Sequence, residues 1–147
     1  MNLQEQITND LKEAMKAKDS FRLGVIRMLK GALMLEKINK MHELSNEEII
    51  DVVSKQIKMR KDSIIEFTKA NRDDLVKQNE EEIIILNSYM PPQLSEEELK
   101  KIVDDTFAKV APTSIKEMGK VMKEITPLVK GKADMSVVSA LIKENFN

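Results

Sequence analysis

Lys116, Lys120 and Lys123 recur at spacings of four and three residues, which at about 100° per residue puts their ammonium groups on one side of a helix. The opposite side carries Met118, Met122, Ile125 and Val129, and Lys130 and Lys132 prolong the basic line into the following turn. Five cations over one helix and its exit could neutralise a row of phosphates, a salt-sensitive attraction that reads shape rather than base sequence. The competing reading is a solubilising face, with Glu117 and Glu124 beside the lysines. A weaker basic group, Lys55, Lys58, Arg60 and Lys61, is interrupted by Asp62 and Glu66.

Little else in the chain could carry a reaction. With Cys 0 there is no thiolate nucleophile and no cysteine metal site, and the lone His42, between Met41 and Glu43, reads as a solvated loop residue. Gly24, Gly31, Gly119 and Gly131 are scattered and form neither GxxxxGK nor GxGxxG. The runs Glu80–Glu82 and Glu96–Glu98 fall in polar helix turns, where carboxylates face solvent rather than act as general acids or bases. The expectation is therefore no catalytic residue, no metal and no cofactor. Aromatic residues make up only 3% and Trp is absent, which disfavours base-stacking platforms. A formal net charge of -1 requires any polyanion site to be a local patch.

The elements that would position these groups are helical throughout. Leu3, Ile7, Leu11 and Met15 make the first stripe, and after Asp19 and Ser20 a second runs through Phe21, Val25, Ile26, Leu29 and Leu33. The spacing predicts an antiparallel pair, with Gly24 and Gly31 letting a neighbouring helix approach. Ser45 and Glu48 have capping-box spacing ahead of Ile49, Val53, Ile57 and Ile64, in a helix expected to run to about Lys69 and stop at Asn71. Leu75, Val76, Ile83 and Leu86 mark a fourth helix.

Met90-Pro91-Pro92 is the strongest break in the chain, because proline lacks an amide proton and biases the residue before it away from helix. It predicts an N-terminal four-helix domain over 1–90 and a three-helix tail domain over 91–147. The tail opens with a second capping box, Ser95 and Glu98, before Leu99, Ile102, Val103, Phe107 and Val110. After Pro112, Thr113 or Ser114 is expected to cap the lysine-bearing helix, and Asp134 or Ser136 the last, with Val138, Leu141 and Ile142 on its stripe. No run alternates, so the expected class is all-α without a sheet. Met15, Met28, Met34, Met118 and Met122 are expected to pack between helices. The charged first residues form no secretory h-region and no apolar run is long enough to span a membrane, so a cytoplasmic protein without membrane contact is expected.

The segments Lys58-Met-Arg-Lys-Asp-Ser-Ile, Arg72-Asp-Asp-Leu-Val, Tyr89-Met-Pro-Pro-Gln-Leu-Ser-Glu-Glu-Glu-Leu and Met118-Gly-Lys-Val-Met-Lys resemble the YqeY family over essentially the whole chain. The last third, through Gly131-Lys-Ala-Asp, is also similar to the tail domain of the B subunit of the tRNA-dependent amidotransferase, the shared tail of the GatB/YqeY name. That resemblance implies a tail that holds a tRNA body. It does not extend to the kinase-like portion of that subunit or to the glutaminase. Asn71 stands where the family commonly has glycine, and Met135 follows Asp134 where relatives tend to have Gly or Pro.

Three functions are compatible with these residues. The first is a non-catalytic helical protein binding structured RNA, tRNA foremost, through the five lysines of the tail. The second, implied by the resemblance, is a glutamine-dependent carbon-nitrogen ligase, or an accessory subunit working with amidotransferase or aminoacyl-tRNA synthetase machinery. The third is a protein-interaction module whose N-terminal bundle grips a partner helix.

Overall fold

The computed structural model describes residues 2–147, and among them there are helices and no strands, as the all-α expectation requires. The chain divides into two compact units, Met1–Met90 and Pro91–Asn147.

The first unit contains α1 (Leu3–Lys16), α2 (Ser20–Lys40), α3 (Asn46–Lys69) and α4 (Asp73–Asn87). Its helix starts follow from side-chain caps. Asn2 accepts from the Glu5 amide at 2.8 Å and opens α1 with a capping box that the apolar pattern does not announce. Asp19 accepts from Arg22 to open α2, and Ser45 with Glu48 forms the expected box at α3. Asn71 turns the chain between α3 and α4 at φ 56°, the left-handed conformation that Asn tolerates. The core is filled by Ile7, Ile26, Leu29, Ile49, Val53 and Leu86, each side chain contributing about 1.5–3 kcal/mol on burial.

Three expectations for this unit are corrected. Met15, Met28 and Met34 are exposed rather than packed, because they fall outside the stripes that α1 and α2 bury. A Cβ added at Gly24 or Gly31 would meet nothing within 4 Å, so no neighbouring helix of this chain needs those glycines. Glu82 is buried, unlike exposed Glu80 and Glu81, because it lies one turn before Leu86 on the inward side of α4.

The second unit contains α5 (Glu96–Val110), a single 3₁₀ turn (Ile115–Glu117), α6 (Met118–Val129) and α7 (Met135–Asn145). The Ser95/Glu98 box starts α5, which stops at Ala111 in the left-handed conformation, φ 50°, just before Pro112. Asp134 caps α7 through the Ser136 amide at 2.9 Å. Neither Thr113 nor Ser114 supplies the side-chain cap expected for the next helix. Instead Glu117 reaches back to the Thr113 amide at 2.8 Å. Leu99, Val103, Val121, Ile125, Val129, Val138 and Ile142 form the second core, with Met118 and Met122 packed against it. Phe107 and Phe146 meet edge to face at 4.9 Å and close it near the chain end. No helix of the described residues is long and apolar enough to cross a membrane.

Candidate nucleic-acid interface

The lysine line is carried by two kinds of backbone. Lys116 sits in the 3₁₀ turn rather than in α6, while Lys120 and Lys123 belong to α6. Burial of Val121, Ile125 and Val129 fixes the rotation of α6, so Lys120, Lys123 and the inserted Pro127 project from its outward side. The Pro127 ring cannot donate to the Lys123 carbonyl one turn back, and its exposed position on the outward side leaves that carbonyl toward water.

Lys130 and Lys132 flank Gly131, whose φ of 75° makes the turn after α6 and favours a residue without a Cβ. This turn is tied down. The Leu94 amide donates to the Lys132 carbonyl at 2.8 Å, and the Gln93 side-chain amide donates to the Gly131 carbonyl at 2.9 Å. The two cations therefore stand on an anchored turn rather than on a loose loop.

All five lysines are exposed. Among the described residues Lys116, Lys123 and Lys132 make no ion pair, and Lys120 lies 3.7 Å from Glu117. That surface pair holds Lys120 weakly, at about 0–1 kcal/mol, and Glu117 is shared with the Thr113 amide. Glu124 turns away from the line to pair with Lys109 of α5 at 2.9 Å. Five of the unit's nine acidic residues, Glu96, Glu97, Glu98, Asp104 and Asp105, lie on α5, and the stretch 116–132 sets five lysines against Glu117 and Glu124, so it is locally basic although the chain as a whole is nearly neutral.

The weaker basic group of α3 does not survive as a set. Arg60 is only 7% exposed and its Nη2 lies 3.5 Å from Oε1 of Glu82, with further bonds from Nη1 to Gln56. It is withdrawn from the candidate contacts. Its position explains why, since Arg60 follows Ile57 by three residues and Val53 by seven, on the stripe α3 buries. Lys55, Lys58 and Lys61 are exposed, and Lys55 lines a groove of about 460 Å³ between α2 and α3 with Glu36, Glu48 and Asp51. Lys40 lines the same groove, and three carboxylates against two lysines leave it without the net positive charge a polyanion needs.

His42 is exposed, with Nδ1 2.7 Å from the Glu43 carbonyl and Nε2 3.5 Å from Glu48. Glu48 has its carboxyl pushed down to about 2, first by the Ser45 amide and then by Lys40. These contacts serve the start of α3, where the acid completes a helix cap.

Comparison with known proteins covers nearly the whole chain. A family model described as Yqey-like protein matches residues 4–146. A protein of Lachancea thermotolerans named "Altered inheritance of mitochondria protein 41, mitochondrial" is 38% identical over 107 residues, 71% of this chain and 57% of that protein. Its namesake from Kluyveromyces lactis is 41% identical over 96 residues, 63% of this chain and 52% of its own length. The Saccharomyces cerevisiae protein of the same name is 32% identical over 148 residues, 94% of this chain and 80% of that protein. The chain thus spans little more than half of the first two relatives. The cytoplasmic expectation is corrected here, because these relatives are named as mitochondrial proteins. The absence of an h-region or membrane-length apolar run in a sequence specifies no compartment.

Proposed function

Because the chain belongs to the Yqey-like family, we propose that it is a non-catalytic helical protein that binds structured RNA, tRNA foremost, through Lys116, Lys120, Lys123, Lys130 and Lys132. The observation that carries this reading is the exposed basic line over 116–132, carried by the 3₁₀ turn, α6 and the anchored turn after it, with Glu124 drawn aside by Lys109. A helix face of this kind reads phosphates by spacing, and the few aromatic side chains of the second unit are engaged with each other in its core. Recognition is then by backbone shape, as for double-helical RNA.

The test is tRNA binding by the full chain at about 50 and 200 mM salt, where phosphate contacts reveal themselves by steep salt dependence. Replacing the five lysines with alanine should weaken binding and flatten the salt slope by roughly one for each lysine that had neutralised a phosphate. Unchanged affinity and slope in the substituted protein would overturn the proposal. Partner capture that survives nuclease and retains no RNA would favour a protein-binding module instead.

A further inference from the structure

The first unit assembles a second cationic surface from two helices. α1 and α2 are joined through residues 17–19 alone and lie antiparallel. Lys30 of α2 donates to Thr8 of α1 at 3.1 Å, which sets their register. One turn onward from Thr8 and one turn back from Lys30, Lys12 comes level with Arg27, each displaced by no more than about 60° around its helix. Lys16 stands one further turn, about 5.4 Å, along α1 from Lys12. Lys18 follows in the turn at φ 56°. That turn is closed, because the Lys18 and Asp19 amides donate to the carbonyls of Met15 and Ala14 at 3.2 and 3.0 Å.

Lys12, Lys16, Lys18 and Arg27 are exposed, and among the described residues they make no ion pair. The carboxylates of the stretch are directed elsewhere. Asp10 is held by Tyr89 and Arg22, Asp19 accepts from the Arg22 amide, and Glu13 lies about 140° around α1 from Thr8. Residues 8–30 carry six cations against three carboxylates, the same excess as five against two over 116–132.

We infer that this α1–α2 surface is a second contact for structured RNA, holding phosphates through Lys12, Lys16, Lys18 and Arg27. The inference rests on the proposed function for the class of ligand, but on another unit and other residues. Charge complementarity points to a polyanion. The neighbouring groups point to a nucleic-acid backbone. Beside Lys12 a hollow of about 290 Å³ is lined by Gln4, Thr8 and Asn9, with Glu5 occupied in part by the Asn2 amide at 3.4 Å. Neutral hydroxyls and amides amid cations suit phosphate and sugar oxygens. A helix that enters a bilayer interface instead sets Trp, Phe and Leu beside its cations, whereas the exposed apolar side chain among these residues is Met15.

Binding of a tRNA transcript by the full chain at about 50 and 200 mM salt tests this surface. Lys12→Gln, Lys16→Gln and Arg27→Gln together should lower affinity at least tenfold and flatten the salt slope by roughly two to three. Helicity should be kept, since all three side chains are exposed. Lys18→Gly removes a cation and also relieves a left-handed backbone. It should hold or raise the thermal midpoint while weakening binding about twofold to fivefold, a loss that unfolding cannot produce. Wild-type affinity and slope in the triple variant overturn the inference, and the proposed function stands without it if the five tail lysines still matter. Weakened binding in the triple variant, with the tail variant unchanged, supports this surface and overturns the tail. Binding to anionic phospholipid vesicles without any to tRNA overturns both.

Discussion

The hydroxyl of Tyr89 donates to Oδ2 of Asp10 at 2.7 Å, joining the segment after α4 to α1 across 79 positions of sequence. Arg22 lies 3.8 Å from the same oxygen and helps to hold the carboxylate in place. Hydrogen bonds to charged groups contribute about 1.5–3 kcal/mol, so Tyr89→Phe should destabilise the first unit by that order in urea denaturation followed by circular dichroism. Burial first, and then the bond to Asp10, hold the phenol above its ordinary 10.0. The stabilisation should be complete below pH 10 and decline as pH rises towards the raised value, and the phenylalanine variant should lack that alkaline decline.

The carboxyl of Glu48 gives the opposite sign. It is pushed down from 4.5 to about 2 by the Ser45 amide and Lys40. The folded state therefore favours the ionised form, and its contribution is present above pH 4.5 and lost as pH falls towards 2. The protection of the Ser45 amide, its exchange rate relative to the intrinsic rate at the same pH, should fall over that range in the wild type. Glu48→Gln should show no such acid-linked change.

Arg60 and Glu82 form a pair buried between α3 and α4, and Nε of Arg60 has no hydrogen-bond partner. Arg60→Met alone should cost about 3–5 kcal/mol, because it leaves a buried carboxylate uncompensated, whereas combining it with Glu82→Met should recover most of that stability. Denaturant midpoints distinguish these outcomes. If the pair serves only the packing of α3 on α4, the double variant should bind tRNA as the wild type does.

Glu117 restrains Lys120 at 3.7 Å while accepting from the Thr113 amide. Glu117→Gln keeps an acceptor for Thr113 and removes the negative charge beside the basic line. Under the proposed function, affinity for tRNA should rise by about twofold to fivefold at low salt, the scale of a surface ion pair. The gain should shrink as salt is added.

Ala111 ends α5 at φ 50°, where a Cβ costs about 1–2 kcal/mol. Glycine removes that strain but adds freedom to the unfolded chain, which offsets about 0.4–1 kcal/mol. Ala111→Gly should therefore stabilise the second unit by up to about 1.6 kcal/mol, read as a later thermal transition.

Local signals were the legible ones. Ser45 with Glu48, Ser95 with Glu98, the left-handed turn at Asn71 and the stop before Pro112 are decided by neighbours in sequence, and the structure has them where their residue types require. What the sequence concealed depends on tertiary position. Arg60 and Glu82 read as solvated charges by type, although each lies on an inward stripe that also carries Ile57 or Leu86. Met28 and Met34 read as packing residues by type, although they face away from Val25, Ile26, Leu29 and Leu33. Lys116 was legible as part of a basic line, but not its 3₁₀ backbone, which follows from Glu117 bending back to Thr113.

Tyr89 is the one tyrosine of the chain, and there is no tryptophan. Its ultraviolet emission is therefore a native optical label confined to the first unit, while the phenylalanine pair of the second remains nearly dark beside it. Following that emission against total helicity during melting would reveal whether the two units come apart in one event or in sequence, without attaching any dye.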